Sequence, residues 1–329
     1  MTATIPGAPV DEARTPNVRR TLVVTDIVDA ATGIRSFTFA APDGSLLPGF
    51  VPGSHLIVGA GDRTNAYSLT NDGVAPTTYQ ISVLRLADGN GGSCWMHDML
   101  SVGDPVEVEL PRSAFPPAPR AMKHLLVAGG IGVTPILSHL RAAHRWNRDV
   151  QLLYTFRPGC GAHVDDVIAL AGRQAELFVD QSGFTERLAA TLADQPIGTH
   201  LYMCGPPGMI DHVVTTAQDL GWPESRIHLE RFGADALDAG EPFVVRLTES
   251  DLTLDVPSGT SVLETLEHNG ITVANRCRQG VCGECRIPLS SGAADHRDLY
   301  LTDDEKSAGD AFMPCVSRAA AGCILEVPL

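Results

Sequence analysis

Three cysteines fall within nine residues of the stretch RCRQGVCGECRIPLSSG, at Cys277, Cys282 and Cys285. A fourth, Cys315, follows in FMPCVSRA, with 29 residues between it and Cys285. Four thiolates in this three-plus-one order match the spacing that holds a [2Fe–2S] cluster. Structural zinc on four cysteines usually arrives as two separated C-x2-C pairs, which this pattern does not match. Gly280 and Gly283 let the backbone wrap tightly and aim N–H groups at sulfur. Arg276, Arg278 and Arg286 are close enough in sequence to offset part of the cluster's negative charge. The same arginines also suit a solvated surface or a docking face.

With CRQGVCGECRIPLSSG, HRDLYLTDDEK and CVSRA, the C-terminal part resembles the ferredoxin domain of the phthalate dioxygenase reductase family. Its members supply electrons to Rieske oxygenases, and their ferredoxin domain follows a flavin domain and a pyridine-nucleotide domain. The resemblance covers nearly all of the sequence after the N-terminal tail. Chemistry supports that order. Nicotinamide donates two electrons as hydride, the cluster accepts one, and a flavin reconciles the two.

The flavin candidates are RTNAYSLTND, residues 63–72, and GNGGSCWMHDML, residues 89–100. In the resembling family an Arg-x-Tyr-Ser motif lies against the flavin, with Tyr on the ring and ribityl, Ser near N5 and Arg on phosphate. Tyr67 and Ser68 match, but Asn65 stands at the Arg position, so Arg63, Arg85 or backbone donors must hold the phosphate. Gly91, Gly92 and Ser93 offer such donors at a helix start. The resemblance implies FMN, with Leu69, Thr70, Val83 and Leu84 also lining it.

The turn VAGGIGVTPIL, residues 127–137, lacks the G-x-G-x-x-G fingerprint, yet Gly129, Gly130 and Gly132 permit close backbone approach. Thr134 is expected to cap the next helix and Pro135 to occupy its N1 position, leaving a positive end toward a pyrophosphate. Together with YMCGPPGMI, residues 202–210, this turn looks like the NAD-binding half of ferredoxin reductase-type enzymes. That likeness implies Cys204 beside the hydride-transfer centre, with Gly205, Pro206 and Met209 at the nucleotide. Alone, Cys204 reads more often as a packed small hydrophobe, and Phe232 as either a flavin neighbour or a core residue. The resemblance implies NADH, with Arg157 and Asp180 near the adenosine ribose; Arg157 also suits the 2′-phosphate of NADPH. Ser68, Thr134, Cys204 and Phe232 form the expected reaction centre, where catalysis is positioning rather than acid–base chemistry.

Three rhythms of sequence must carry these groups. From about Val18 to Leu110, short alternating runs such as TLVVTDIV, HLIVGA and YQISVL are punctuated by Gly, Pro, Asp and Asn, which predicts an antiparallel β-barrel. FPPAPR reads as a seam. From Lys123 to about Phe232, apolar strands alternate with helical patterns such as PILSHLRAAHRW, which predicts a parallel α/β sheet. After GADALDAGEP come two strand-like runs and the helix SVLETLEHN, with a Ser261–Glu264 capping box and Gly270 at C′. The expected organisation is a flexible tail over 1–16, an FMN barrel over 17–118 and an NAD-binding α/β domain over 119–233. A linker over 234–241 and an α+β, β-grasp [2Fe–2S] domain over 242–329 complete it.

Composition narrows the partners. The 329 residues carry 24 basic and 39 acidic side chains, a net charge of −15. This argues against nucleic acid and anionic membrane surfaces and favours a partner with a basic docking face. Seven of the excess charges lie beyond residue 240, where 14 acidic residues face seven basic ones. The N-terminus lacks an apolar signal core, and LLVAGGIGVTPIL is too short and broken to span a bilayer. A cytoplasmic location with reduced thiols is expected. There is no G-x-S-x-G, GK[ST] or H-E-x-x-H motif. The charged run DDEK, residues 303–306, reads as a solvated face or docking edge. The expected partner is a terminal Rieske oxygenase or demethylase. A cytochrome P450 partner would need the same upstream chemistry, and a redox sensor or scaffold without turnover is the reading from another class.

Overall fold

The structure, a computed structural model, describes residues 19–329 except 62, 88, 90, 114, 233–239, 276–279, 281–282 and 299. The expected tail and most of the linker therefore lie outside the described residues. So do Cys277, Cys282, Arg276, Arg278 and the Arg63 side chain.

Strands β1 (Arg19–Ala31), β2 (Ile34–Ala40), β3 (Ser54–Ala60), β4 (Arg63–Ser68) and β5 (Thr78–Leu84) precede the short helix α1 (Gly92–Asp98). With β6 (Pro105–Glu109) and β7 (Arg112–Ser113), they form a sheet ordered β4–β3–β6–β1–β2–β5, and β7 pairs with β3. Alternation drives the curl: Leu22, Phe37, Phe39, Leu56, Val58, Ile81, Val106 and Val108 all point to one buried core. Two register shifts bend β1, and an isolated bridge between Leu69 and Ile81 joins the two edge strands. The sheet closes as the predicted antiparallel barrel.

The second sheet is parallel, ordered β10–β9–β8–β11–β12. Its elements are β8 (Lys123–Gly129), α2 (Val133–Arg145), β9 (Asp149–Thr155), α3 (Val164–Ala171), β10 (Ala175–Phe178), α4 (Gln181–Ala193), β11 (Thr199–Cys204), α5 (Pro207–Asp219) and β12 (Ile227–Glu230). Successive residues face opposite sides, so the strands read as unbroken apolar runs. Leu126, Ala128 and Leu152 pack with α2 and α3, whereas Leu125, Val127 and Leu153 pack with α4 and α5. The strand order reverses between β8 and β11, which opens a crevice at their carboxyl ends, the usual ligand position in such sheets.

The last unit pairs β13 (Phe243–Leu247) antiparallel with β14 (Leu252–Val256) and parallel with β19 (Ile324–Val327). Helix α6 (Val262–His268) covers this sheet through Val262, Leu263 and Leu266. Its predicted capping box is present: Glu264 N–H donates to the Ser261 hydroxyl at 3.1 Å, and Ser261 N–H donates to the Glu264 carboxylate at 3.0 Å. Short ladders of β15 (Ile287–Pro288) with β17 (Ala311–Phe312) and β16 (Ala294–Asp295) with β18 (Arg318–Ala319) complete it, beside α7 (Asp303–Ala308). Among the described residues, no helix is long and apolar enough to cross a membrane.

Candidate functional site

At the switch point three glycines leave no room for side chains. A Cβ on Gly132 would stand 2.3 Å from the Cys204 carbonyl oxygen, and one on Gly129 would stand 2.6 Å from Met209 Sδ. A Cβ on Gly205 would meet Gly129 Cα at 3.0 Å. The two glycine turns thus lie against each other, and the fold brings together Gly129, Gly132, Cys204, Gly205 and Met209, while a Cβ on Gly130 would face open space. The cap assignment needs correction. A 3-10 turn over Gly130–Gly132 runs straight into α2, so Gly132 is the N-cap, Thr134 is N2 and Pro135 is N3. The Thr134 hydroxyl donates backward to the Ile131 carbonyl at 3.0 Å instead of capping. Proline at N3 costs no intrahelical bond, because first-turn N–H groups have no partner there anyway. Helix α5 does place a proline at N1, with Pro206 as N-cap and Pro207 at N1.

Cys204 ends β11 fully buried, opposite Glu230 at the end of β12. Burial, reinforced by the Glu230 charge, pushes the Cys204 thiol well up. Burial likewise pushes the Glu230 carboxyl up to about 8, and its Oε2 has no hydrogen-bond partner among the described residues. Phe232, half-buried, packs into the same apolar cluster as Cys204. Sequence reasoning missed Glu230; the available signal was an acid closing the short strand run of RIHLERF. Arg157 and Asp180 are exposed beyond the ends of the neighbouring strands β9 and β10. Asp180 caps α4 by accepting from Gly183 N–H at 2.7 Å, and this bond with that from Ser182 holds its carboxyl below the usual range.

On the barrel side, β4 presents Tyr67 half-buried, its phenol oxygen accepting from Asn65 Nδ2 at 3.1 Å. Burial pushes the Tyr67 phenol up to about 12, so it stays neutral. A Cβ on Gly92 would fall 2.3 Å from Asn65 Nδ2, so α1 begins directly against β4. Gly91, with φ of 88°, is the N-cap of α1. Ser93 lends its hydroxyl to Leu86 N–H at 3.0 Å, and Arg85 pairs with Asp98 at 2.8 Å. Leu69 and Thr70 are buried beside Ser68; Val83 is buried in the barrel core, and Leu84 packs toward the nucleotide sheet. His55 is a further residue that sequence reasoning missed. It lies opposite Ser68 in the β3–β4 ladder, is buried, and has no hydrogen-bond partner at either ring nitrogen among the described residues. Burial pulls its pKa down to about 4, so the imidazole is neutral.

Helix α2 joins the two halves. Ser138 Oγ accepts from Gly53 N–H at 2.9 Å, Arg141 Nε donates to the Thr70 carbonyl at 3.0 Å, and Arg145 pairs with Asp72. Phe115, in the expected seam, packs on His139 and Tyr202.

In the last unit, Cys285 and Cys315 are buried with their sulfurs 3.2 Å apart. Two thiols so placed form one edge of a compact thiolate site. The turns between the expected ligands demand glycine: Gly280 has φ of 72°, and a Cβ there would meet Val316 Cγ2 at 2.5 Å. At Gly283, with φ of 75°, it would strike the Tyr300 ring at 2.3 Å. Arg286 pairs with Glu305 at 3.5 Å. Cys285 and Cys315 are thus placed to share one site, while the other two expected ligands, Cys277 and Cys282, lie outside the described residues.

Comparison with known proteins agrees with this geometry. Residues 106–227 match the model of the N-terminal domain of dimethylamine monooxygenase subunit DmmA-like proteins, and residues 245–320 match the 2Fe-2S iron-sulfur cluster binding domain. The chain is 38% identical to the carnitine monooxygenase reductase subunit of Acinetobacter pittii (strain PHEA-2), over 87% of its own length and 95% of that protein. The solved structure of phthalate dioxygenase reductase, described as modular for electron transfer from pyridine nucleotides to [2Fe–2S], superposes with a TM-score of 0.75 at 36% identity. That match covers 94% of this chain and 98% of the other. An intact type IV self-sufficient cytochrome P450 monooxygenase matches with a TM-score of 0.73 at 32% identity, over 94% of this chain and 41% of that one.

Proposed function

Because the chain belongs to the phthalate dioxygenase reductase family, we propose that it carries electrons from NADH through FMN and a [2Fe–2S] cluster to a terminal Rieske-type oxygenase or demethylase. Bound FMN and the cluster supply the conversion of a two-electron hydride into single electrons. The chain's own residues bind, orient and exclude water. Tyr67, steadied by Asn65, would hold the flavin ring, and Ser68 with neutral His55 would offer polar atoms to it. Gly91, Gly92 and Ser93 give backbone donors to the phosphate, helped by Arg63 in place of the missing motif arginine. Gly130, Gly132, Gly205, Pro206 and Met209 would admit the nicotinamide nucleotide close to the backbone, Thr134 and Pro135 lie in the first turn of the helix behind it, and Arg157 and Asp180 would meet its adenosine end. Cys204 and neutral Glu230, with Phe232 beside them, would keep water from the floor of the nicotinamide site. The units over 17–118, 119–233 and 242–329 divide these tasks, with 234–241 as linker.

The observation that carries the reading is the buried Cys285–Cys315 pair at 3.2 Å, held in turns that only glycine can make. The test is an anaerobic NADH titration of purified protein, followed by absorbance. About three electrons per chain are expected, two in the flavin and one in the cluster. Cys285→Ser should remove the third electron and its visible band while flavin bleaching persists. Uptake of two by the unmodified protein would refute the cluster. A haem partner is the second reading, favoured by the match to the self-sufficient P450; reconstitution with each oxygenase class separates the two. The free thiols of Cys94, Cys160, Cys204 and Cys323 support a cytoplasmic location.

A further inference from the structure

A hydroxyl, an imidazole and a carboxylate line up across the boundary between the barrel and the nucleotide sheet. Ser82 Oγ on β5 lies 2.7 Å from His163 Nε2, and His163 Nδ1 lies 3.2 Å from Asp166 Oδ2. The order resembles a nucleophile, base and orienting acid. Its surroundings do not suit hydrolysis, since Ser82 is only 4% exposed and its oxygen also lies 2.8 Å from Ser36 Oγ on β2. The chain of contacts continues instead. Asp166 Oδ1 pairs with Arg141 Nη2 on α2 at 3.2 Å, and Arg141 Nε donates to the Thr70 carbonyl at 3.0 Å. The circuit thus leaves the barrel at β5 and re-enters it two residues beyond Ser68.

His163 accepts local costs to take part. It is a non-glycine residue in the left-handed region, with φ of 58°. It sits at the N-cap of α3, yet its side chain makes no capping bond there. Serine, aspartate or asparagine would serve that helix end better. What histidine provides is reach, with one ring nitrogen on its own helix and the other on the opposite unit. A backbone hydrogen bond from Thr32 N–H to the Gly159 carbonyl at 3.0 Å reinforces the same boundary.

We propose that Ser82, His163, Asp166 and Arg141 form a positioning clamp that sets the seating of the nucleotide sheet on the barrel, and with it the approach of nicotinamide to flavin. The proposal rests on the reductase reading above. It is tested on the FMN-loaded full chain with His163→Asn, Ser82→Ala and the double variant. Asparagine tolerates the left-handed backbone and can cap α3, but it cannot reach Ser82. Two readouts are taken: anaerobic stopped-flow bleaching of flavin by NADH, and hydrogen–deuterium exchange. The limiting rate should fall about ten-fold in each single variant, with NADH affinity changed less than about three-fold. The double variant should be no slower than His163→Asn, because both changes cut one link. Exchange should rise in β5 and α3 and stay unchanged in α6. Limiting rates within about two-fold of the parent in both single variants would overturn the clamp. Exchange rising evenly over all three sheets with loss of FMN would overturn it too, by exposing a general loss of stability. If the parent itself is not bleached by NADH, the reductase reading fails, and the exchange pattern alone decides the clamp.

Discussion

Glu230 is a carboxyl group that the fold keeps away from water, beside a thiol treated the same way. Its pKa is raised to about 8, so between its ordinary value and pH 8 the unfolded chain releases a proton that the folded chain retains. Stability contributed here is complete below the ordinary carboxyl pKa and is lost as pH rises toward 8. Glu230→Gln should therefore be more stable than the parent, by a margin growing about 1.4 kcal/mol per pH unit above pH 5 and flat beyond pH 8. Urea unfolding from pH 5 to 9 measures it, and a margin independent of pH would contradict the buried-acid assignment. At this scale the sequence was most legible where spacing along the chain is itself the chemistry. The cysteine loop, Tyr67–Ser68 and the two glycine turns could be named because their neighbours are local. Glu230, His55 and the Ser82–His163 link could not, because their partners are set by strand register and by contacts between residues 81 positions apart.

Elements were legible where a local signal ends them. The Ser261–Glu264 capping box announced α6. Helix α2 began two residues before its expected start because a 3-10 turn, which leaves little trace in sequence, feeds it. One feature of the parallel sheet escaped sequence reasoning entirely. His228 stacks on Tyr202 at 4.5 Å and on His200 at 5.2 Å, while His124 and His139 approach the same tyrosine at 5.3 and 4.9 Å. Burial pulls His124 and His228 down to about 4 and His139 to about 3. Below the ordinary histidine pKa the unfolded chain takes up protons that the folded sheet refuses. Stability must then fall as pH drops from about 6.5 toward 4. Fully buried His139 alone should cost about 2 kcal/mol between pH 7 and 5. Denaturant midpoints across that range test it, and His139→Phe should flatten the slope.

For the whole molecule, the order of barrel, parallel sheet and ferredoxin unit was readable from changes in periodicity, while their mutual seating was not. Periodicity reports which face of an element is buried, not what covers it. The net charge of −15, with seven of the excess charges beyond residue 240, belongs to this scale too. Raising ionic strength from about 0.05 to 0.5 M should slow delivery of electrons to a basic oxygenase several-fold. Flavin bleaching at saturating NADH should stay within about two-fold, since that step occurs inside one chain. Equal salt sensitivity of both steps would count against electrostatic docking.

Helix α2 has one more consequence. It touches the barrel through Ser138, His139, Arg141 and Arg145, while its first turn backs the glycine crevice. A bar bolted at four points cannot serve as a door. Gly159 and His163 fasten the stretch after β9 to the barrel as well, so the barrel and the parallel sheet are expected to move as one body.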